Sequence, residues 1–398
     1  MESTRCCVVG GGPAGLLLAL LLARRGIAVT LLEAARDFDR DFRGDTVHPA
    51  TLELLDQIGL ADAALALPHG KVERMSLHSE GRSWHMADFR HLRTRFPYIA
   101  IIPQHLFLDF LAEQADALPT FTRIMGAAVS EVLRDGDRVV GVRYRRDGGQ
   151  HELRADLVVG ADGRFSRLRR AVDSEVDGTS PPMDVAWVRL PLGGEDAPGF
   201  HVGRGRLLVH FRRTDAIQLG YVFAKGGFGD LKARGIEAFR QSIVDLVPAW
   251  ADKVDAIESF EDVHLLVVKS DCLAHWHRPG LLLIGDAAHA MSPVGGVGIN
   301  YAIGDAVEAV NVLAPLLEGT DAVPETALAE VQRRRHRWIR IAQRMQANMQ
   351  RLLVERALED GPFRLGWPLR LIFATPGLRA LPPRMIAFGP HPVRLEVV

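Results

Sequence analysis

Near its start, the chain alternates between apolar and turn-forming stretches with the spacing of a strand, a helix and a second strand. Residues 6–9 form a short apolar run, which predicts a strand covered on both faces. A long apolar run over residues 13–25 predicts a helix that stops at Gly26. Residues 28–32 predict the second strand, which Glu33 closes. This order predicts a parallel sheet with a right-handed crossover.

The later pattern mixes helices with alternating strands. Further helices are predicted over residues 51–58 and 103–115, from about Asn300, and over roughly 325–358. A hairpin is predicted over residues 72–89 with its turn at Glu80-Gly81, and residues 182–268 are rich in half-buried strands. We therefore expect an α/β fold with two discontinuous domains: a Rossmann-like domain (residues 1–72, 98–178 and 270–398, the last part mainly helical) and a mostly antiparallel β-sheet domain (residues 73–97 and 179–269).

Composition narrows the class of protein without changing this picture. The chain has 398 residues, 47% of them hydrophobic, with a formal net charge of −1 and three cysteines. That length suffices for a large core or two domains, and the balanced charge predicts no global attraction to nucleic acid or to an anionic membrane. Three cysteines without metal-ligand or disulfide spacing fit the reducing cytoplasm.

Two segments resemble membrane-associated helices. Residues 16–23 (LLLALLLA) look like a signal-peptide core, but they are too short to span a bilayer and no cleavage site follows, so we predict a buried helix and no membrane span. In a later helix, five apolar residues recur at helical spacing opposite arginines: Trp338, Ile341, Met345, Met349 and Leu352. We expect this helix to cover the core; a membrane-surface helix or a dimer contact are the alternatives.

A glycine motif, Gly10-x-Gly12-x-x-Gly15, lies between the first strand and the first helix. In a dinucleotide-binding turn, the first glycine permits the tight bend, the second lets the backbone approach a pyrophosphate, and the third, after Ala14, lets helix and strand pack closely. The helix N-terminus then faces the anion. Glu33, at the end of the second strand, can accept hydrogen bonds from the hydroxyls of an adenosine ribose. A glycine turn without a ligand is the alternative interpretation.

The stretch GLLLIGDAAHAMSPVGGVGIN, residues 280–300, predicts a second site for the same ligand. A buried strand ends in Gly285-Asp286, and a carboxylate at the C-terminal end of a parallel strand points into the ligand crevice. Asp286 can accept hydrogen bonds from the ribitol hydroxyls of FAD, which NAD lacks. Backbone N–H groups at the start of the next helix can stabilise the negative charge of a reduced flavin; the candidates are Gly296, Gly298, Ile299 and Asn300. Pro293, which has no N–H, is a candidate cofactor contact in the same loop. The alternative is an ordinary glycine loop whose acid caps a helix.

A third motif is LVVGADGRFSRLRR, in which a strand runs into Asp162-Gly163, followed by Ser166 and Arg169. One interpretation places Asp162 beside the phosphates of the cofactor. For this residue taken alone, a turn that ends the strand is the interpretation we favour.

In order and separation, the three motifs resemble those of the class A flavoprotein monooxygenases, the p-hydroxybenzoate hydroxylase-like aromatic hydroxylases. The similarity extends over nearly the whole chain. It implies that one FAD binds non-covalently across the Rossmann-like domain and that the antiparallel sheet covers the flavin. It also implies further cofactor contacts at Arg43, Gln104 and Val129. One departure is Gly296-Val297-Gly298, where members often carry Gly-Gln-Gly; backbone contacts survive this change, and a role for the glutamine side chain does not.

The resemblance implies a two-part reaction. In that family NADH or NADPH reduces FAD, and the reduced flavin traps O2 as a C4a-hydroperoxide that hydroxylates an aromatic or polycyclic small molecule. No dedicated NAD(P)H domain is predicted, because the chain carries one glycine fingerprint. Monomer and homodimer remain open.

Catalytic residues are less clearly marked than cofactor ligands. The candidates are Arg43 and Pro293 near the flavin, and His210 and Tyr221 on strands of the second domain, with His201 and His48 as further possibilities. Alternation places Ile217, Leu219, Tyr221 and Phe223 on one face of a strand, so Tyr221 faces either the pocket or the core. For each histidine we favour a packing or surface role.

Two other functions keep the same fold. The first is an FAD-dependent oxidoreductase that inserts no oxygen, such as a dehydrogenase or dehalogenase, or a halogenase. The Trp-x-Trp-x-Ile-Pro run of flavin halogenases is not found, and the first lysine is Lys71, so the early lysine of those enzymes is missing too. The second is a non-catalytic binding protein, which would have no use for a complete FAD site.

Overall fold

The computed structural model describes residues 2–39, 45–193, 198–203, 205–359, 361, 363–375 and 378–396. Its strands, numbered along the chain, are β1 (Glu2–Val9), β2 (Val29–Glu33), β3 (Thr46–Val47), β4 (Gly70–Val72), β5 (Arg74–Ser79), β6 (Arg82–Asp88), β7 (Ile99–Ile101), β8 (Phe121–Met125), β9 (Ala128–Asp135), β10 (Arg138–Arg146), β11 (Gly149–Gly160), β12 (Val176–Thr179), β13 (Met183–Leu190), β14 (Gly199–Gly203), β15 (Arg206–Arg212), β16 (Ile217–Ala224), β17 (His264–Leu266), β18 (Ser270–Leu273), β19 (His277–Arg278), β20 (Leu281–Leu283) and β21 (His289–Ala290).

The helices are α1 (Pro13–Arg24), α2 (Pro49–Gln57), α3 (Ala61–Ala66), α4 (Gln104–Asp116), α5 (Arg169–Val172), α6 (Phe228–Ala233), α7 (Ile236–Val244), α8 (Gly298–Leu317), α9 (Glu325–Met349), α10 (Arg356–Leu358), α11 (Trp367–Ala374) and α12 (Leu381–Phe388). Short 3-10 turns include Gly285–Ala287, Val294–Gly296 and Leu378–Ala380, and a π-helical turn, Gln350–Glu355, joins α9 to α10. Among the described helices, none is both long enough and apolar enough to cross a bilayer.

An eight-stranded sheet carries the Rossmann-like part of the fold. Its order is β19-β20-β11-β1-β2-β8, and β10 and β9 extend it from β11. The strands from β20 to β8 are mutually parallel, as the strand-helix-strand pattern predicted. Helix α1 packs between this sheet and α8, and every residue from Ala14 to Ala23 is buried. The apolar run over residues 16–23 is therefore a core helix, as predicted.

A seven-stranded sheet forms the second layer, in the order β17-β13-β16-β15-β14-β5-β6. Its neighbours are antiparallel except for β5 and β14, which are parallel. The predicted hairpin is β5–β6, and both turn residues have positive φ, 48° at Glu80 and 75° at Gly81. All seven strands fall within the two ranges assigned above to the β-sheet domain, and we propose that division of the chain.

The two faces of the seven-stranded sheet have different neighbours. One face packs on α6, α7 and the turns that follow, with Leu219 and Tyr221 against Phe239 and Ile243. The other face is also apolar; Val185, Val209 and Val222 lie on it, in a cluster with the segment after α9. Val294, from the loop before α8, packs on this second cluster. The second face therefore looks toward the glycine-rich loop.

Candidate active site

The glycine turn after β1 brings the first and third motifs together. Gly10 has φ +108°, and a Cβ there would lie 2.4 Å from the carbonyl oxygen of Ala161. A Cβ on Gly15 would lie 2.0 Å from the carbonyl oxygen of Gly10. These two glycines are thus required by packing within the protein. Gly12, at the N-cap of α1, differs because a Cβ there would meet no atom within 4 Å. The N-terminus of α1 is open at this residue, which suits the approach of an anion.

Glu33 lies beside this turn at the end of β2 and is buried. Its Oε2 accepts a hydrogen bond of 2.6 Å from the backbone N–H of Gly11, and its Oε1 accepts one of 2.8 Å from the N–H of Ala35. The carboxylate therefore holds the glycine turn in shape. A carboxylate oxygen has two lone pairs and can accept more than one hydrogen bond.

The second motif also meets α1. Gly285 has φ +58°, and a Cβ there would lie 3.5 Å from Cβ of Ala14 and 3.2 Å from Cβ of Ala302. Asp286 follows in a 3-10 turn, with one third of its side chain exposed and one Oδ 3.8 Å from a guanidinium nitrogen of Arg164. Burial raises the pKa of Asp286, and Arg164 opposes this. Asp286 is an accessible carboxylate at the end of a parallel strand.

Arg169 fixes the turn that carries Asp286. Its guanidinium donates to the carbonyl oxygens of Asp286, at 2.9 Å, and Ala287, at 2.7 Å. It also forms a two-point ion pair with Asp271, at 2.7 and 3.0 Å. Because Asp271 accepts the backbone N–H of Ala290 as well, one ion pair ties α5, β18 and the turn together.

The two carboxylate oxygens of Asp162 have different surroundings, and each bears on one of the two interpretations of the third motif. Its Oδ2 accepts a hydrogen bond of 2.9 Å from the N–H of Arg167, so the side chain shapes the turn after β11. Its Oδ1 is buried, and no partner for it exists among the described residues. Burial raises the pKa of this carboxyl. An acceptor left without a donor costs free energy, and a bound hydroxyl or N–H group would remove that cost. Gly163 follows with φ +80° and open space at its Cα.

Sequence patterns missed a buried charge network behind the second motif. Asp305, fully buried in α8, accepts the N–H of Gly285 at 2.9 Å, lies 2.6 Å from Nε2 of His289, and binds Nε of Arg335 at 2.7 Å. Burial alone would raise the pKa of Asp305, but His289 and Arg335 outweigh it, and the pKa is lowered. The ring of Trp276 packs on His289. The available signal was an acid, Asp305, within the largely apolar run YAIGDAVEAV, which also contains Glu308.

The loop from Pro293 to Asn300 is held on β3 and α2. The hydroxyl of Thr46 donates to the carbonyl oxygen of Gly296 at 2.6 Å, and a Cβ on Gly296 would lie 2.8 Å from that hydroxyl oxygen. The side-chain oxygen of Asn300 accepts the N–H of His48 at 3.0 Å and the hydroxyl of Thr51 at 2.7 Å. The loop is therefore held in place through side chains, and its residues Pro293, Gly298 and Ile299 are only partly buried.

Asp45 joins this region to the seven-stranded sheet. It lies just before β3, and its Oδ1 accepts the N–H of Gln104, the first residue of α4, at 3.2 Å. Its Oδ2 lies 3.2 Å from Nη1 of Arg213, which follows β15, and both side chains are buried. Burial raises the pKa of Asp45 to about 6, although Arg213 lowers it. The segment before β3 and the seven-stranded sheet thus share a buried ion pair, which no sequence pattern indicated.

The remaining predicted residues divide into three groups. Gln104 and Val129 are buried at the start of α4 and near the start of β9. Arg43 lies outside the described residues. Tyr221 and His210 lie on the helix-covered face of the second sheet: the Tyr221 hydroxyl accepts from Ser242 at 3.1 Å, and the His210 ring is 4.9 Å from that of Trp250. Because that face is opposite the one on which Val294 packs, the geometry gives no support to catalytic roles for these two residues.

Two further histidines, His48 and His201, make hydrogen-bonding or ring-packing contacts within the protein. His48 is fully buried, with Nδ1 2.7 Å from the carbonyl oxygen of Ile386, and burial lowers its pKa to about 4. The His201 ring lies between that of His78, on which it stacks, and that of His210, to which it is tilted by 31°, at centroid distances of 5.0 and 5.2 Å. Burial, followed by the neighbouring histidines, lowers the pKa of His201 to about 3. The favoured packing interpretation fits both.

Comparison with known proteins agrees with this geometry. Residues 3–348 match the family described as FAD binding domain. The chain is 36% identical to a 6-methylpretetramide 4-monooxygenase of Streptomyces rimosus, over 99% of this chain and 94% of that protein. It is 26% identical to para-nitrophenol 4-monooxygenase of Pseudomonas sp. strain WBC-3, over 78% of each chain.

Solved structures share the fold. The FAD-dependent monooxygenase PqsL of Pseudomonas aeruginosa, described as probable, superimposes with a TM-score of 0.76 at 23% identity, over 90% of this chain and 97% of that one. The p-nitrophenol 4-monooxygenase PnpA of Pseudomonas putida DLL-E4 gives a TM-score of 0.75 at 22% identity, over 97% and 94% of the two chains.

The fold and the family match define a class A flavoprotein hydroxylase of the p-hydroxybenzoate hydroxylase type. The chain belongs to the FAD-binding family that it matches over most of its length, and it is an FAD-dependent monooxygenase.

Proposed function

We propose that the protein hydroxylates an aromatic or polycyclic small molecule with O2, using NADH or NADPH as the reductant. The observation that carries this proposal is the packing of Val294, from the glycine-rich loop, on the apolar face of the seven-stranded sheet. An apolar wall beside a flavin-type loop excludes water and suits a flat, apolar substrate. The names of the relatives support the substrate class, since they include 6-methylpretetramide, para-nitrophenol and rifampicin monooxygenases.

The residues present fit FAD. We assign the pyrophosphate to the glycine turn (Gly10, Gly12, Ala14 and Gly15) at the N-terminus of α1, and the adenosine ribose to Glu33. Asp286 would accept the ribitol hydroxyls. The buried Oδ1 of Asp162, which has no partner among the described residues, would be a further acceptor for this cofactor. The flavin ring would lie on the backbone of Pro293, Gly296, Gly298, Ile299 and Asn300. Gln104, Val129, Gly163, Gly285 and Arg43 complete the proposed set.

Bound FAD would supply the redox chemistry, and the protein the positioning. In the overall balance, NAD(P)H gives up a hydride, which with one proton from solvent supplies the two electrons and two protons needed; one atom of O2 enters a carbon–hydrogen bond of the substrate ring, the other leaves as water, and NAD(P)+ is released. With FAD bound there, the helix N-terminus at Gly298 would stabilise negative charge on the flavin ring. Residues on the apolar sheet face, among them Trp187, Val209 and Val222, would hold the substrate away from water.

The test is oxygen incorporation. Purified protein reconstituted with FAD should be yellow, and a panel of phenols and polycyclic aromatic compounds should contain one that accelerates NAD(P)H oxidation. Mass spectrometry after reaction under 18O2 should then show one labelled oxygen atom in the product. Asp286→Ala should weaken FAD binding by about tenfold or more, since it removes the acceptor for ribitol hydroxyls.

Three outcomes would contradict the proposal. A coloured, reducible protein whose product contains no label would be an oxidoreductase without oxygen insertion. A halogenated product would indicate a halogenase, and a protein that never binds FAD would be a binding module.

We also propose a cytoplasmic location, supported by three buried, unpaired cysteines, Cys6, Cys7 and Cys272. Monomer and homodimer would be distinguished by sedimentation velocity.

A further inference from the structure

A C-terminal surface of the protein combines exposed apolar side chains with positive charge. Residues 361–395 contain five arginines and no aspartate or glutamate, whereas the whole chain has 48 basic and 49 acidic residues. Within this segment Trp367, Leu371 and Leu381 expose 76%, 52% and 50% of their surface, and Leu378 is exposed as well. We call these four residues, together with the exposed Arg364, Arg370, Arg379 and Arg384, the C-terminal patch.

The arrangement on α11 explains why its apolar residues are exposed. Its inner face carries Leu369, Ile372 and Phe373, which pack into the cluster on the apolar face of the seven-stranded sheet. The outer face carries Trp367, Arg370 and Leu371, which share one side of the helix because they are spaced by three and four residues. This helix is therefore already folded and anchored, and its outer face lacks a cover among the described residues.

The positive charge of the C-terminal patch indicates which kind of surface this patch can bind. Among the described residues, the four arginines of the patch form no ion pair with an acid, so their charge is available. A second copy of the chain docked through a two-fold axis would place these arginines opposite themselves, which is unfavourable. An anionic surface would neutralise them. Tryptophan and leucine beside arginine are typical of protein segments that lie in the interface of an anionic bilayer.

We propose that the C-terminal patch docks the protein on an anionic lipid surface. The arginines contact lipid headgroups, and Trp367, Leu371 and Leu381 enter the boundary between headgroups and acyl chains. The balanced net charge of the whole chain does not oppose this, because attraction at the surface is local and decays within about 8–10 Å at physiological salt. Docking uses the patch alone and requires no membrane-spanning helix.

Vesicle sedimentation of the full-length, FAD-loaded protein tests the proposal. We expect the protein to pellet with phosphatidylcholine vesicles that contain phosphatidylserine, to stay in solution with phosphatidylcholine alone, and to be released by salt. The double variant R370E/R379E should bind about tenfold or more weakly, because two favourable headgroup contacts become repulsive. Trp367→Ala should also weaken binding. R93E/R145E, which reverses two exposed arginines elsewhere, should bind like the wild type.

The readout is separate from that of the reaction. None of these residues is assigned to the cofactor or substrate, so FAD content, thermal unfolding and NAD(P)H oxidation with a soluble phenol should be unchanged in every variant. The proposal is wrong if anionic vesicles do not bind, or if R93E/R145E loses binding as much as R370E/R379E. A dimer that depends on Trp367, or charge-dependent binding to polyglutamate but not to vesicles, would equally overturn it.

Discussion

At the scale of single residues, glycine serves two different purposes in the turn between β1 and α1. Gly15 is glycine because a Cβ at this position would lie 2.0 Å from the carbonyl oxygen of Gly10, whereas a Cβ at Gly12 would meet no atom of the described residues within 4 Å. The φ and ψ of Gly12, −79° and −179°, are open to any residue. A side chain at position 12 would therefore fill only the space that we assign to the cofactor.

This difference gives a matched pair of variants. Gly12→Val should leave the free energy of unfolding of the FAD-free protein within about 0.5–1 kcal/mol of the wild type. It should weaken FAD binding by about tenfold or more, as the side chain blocks the helix N-terminus. Gly15→Val should lower the free energy of unfolding by about 3 kcal/mol or more because of the clash. Urea unfolding and flavin fluorescence titration measure both. Equal FAD affinity in Gly12→Val and wild type would contradict the assignment.

Individual residues were predictable from sequence where a local pattern defined them. The glycine turn, Glu33 and Asp286 each follow a short apolar strand, so their position at the edge of the parallel sheet could be inferred. Tyr221 shows the limit of this approach. Alternation correctly grouped it with Ile217, Leu219 and Phe223, which all lie in one cluster. Alternation could not predict which elements would cover that face, because the packing of α6 and α7 on the sheet is a tertiary contact that the strand pattern does not encode.

At the scale of elements, one buried carboxylate connects α8, α9 and the turn after β20. Asp305 on α8 binds Arg335 on α9, 30 residues away, and the backbone N–H of Gly285. Local propensity predicted both helices, but no periodicity links an acid on one helix to an arginine on another. Breaking a buried ion pair by removing one partner leaves an unpaired charge, which costs more than removing both.

Asp305→Ala should therefore lower the free energy of unfolding by about 3–5 kcal/mol, since Arg335 stays buried without its carboxylate. The double variant D305L/R335M, which removes both charges and keeps the volume, should lose clearly less. Chemical denaturation of the double variant, and of Asp305→Leu and Arg335→Met alone, would give the coupling free energy. If the loss in the double variant equalled the sum of the two single losses, the network would not act as a unit.

At the scale of the whole molecule, the buried pair of Asp45 and Arg213 links the segment before β3 to the seven-stranded sheet. Because burial raises the pKa of Asp45 to about 6, the carboxylate gains a proton, and the pair loses its negative partner, as the pH falls through 6. We expect the KM for the substrate to rise by about threefold or more below that pH, because the ion pair with Arg213 no longer holds the seven-stranded sheet against the segment before β3.

Asp45→Asn keeps an acceptor for the N–H of Gln104 and removes the titration. Its KM should change little between pH 7 and 5. Asp215→Asn is the matched control, because Asp215 is an exposed carboxylate 3.5 Å from Nε of the same arginine. That control should keep the wild-type transition near pH 6. A transition that survives in Asp45→Asn would assign it to another group.

The stacked histidines predict the acid sensitivity of the fold. The pKa of His201 is lowered from 6.5 to about 3, so the native state binds fewer protons than the unfolded chain between these values. Stability is fully present above pH 6.5 and is lost as the pH falls, by about 3 kcal/mol at pH 4. His48, whose pKa is lowered to about 4, also reduces the free energy of unfolding as the pH falls from 6.5 to 4. Asp45, whose pKa is raised to about 6, changes the free energy of unfolding in the opposite direction.

His201→Phe keeps a ring between His78 and His210 and cannot titrate. The free energy of unfolding of this variant should fall less between pH 6.5 and 4 than that of the wild type, by about 2–3 kcal/mol. Urea unfolding at a series of pH values measures the two slopes. Parallel curves for the two proteins would show that His201 does not carry the acid sensitivity.

The parallel pairing of β5 with β14 has a consequence for biosynthesis. About 120 residues separate the two strands, and a ribosome that adds roughly 5–20 residues per second needs on the order of ten seconds to deliver the second. During that interval the nascent hairpin of β5 and β6 presents a free strand edge, the kind of surface that promotes aggregation. Slower translation or loss of chaperones should therefore reduce the yield of this protein before its completed fold is affected.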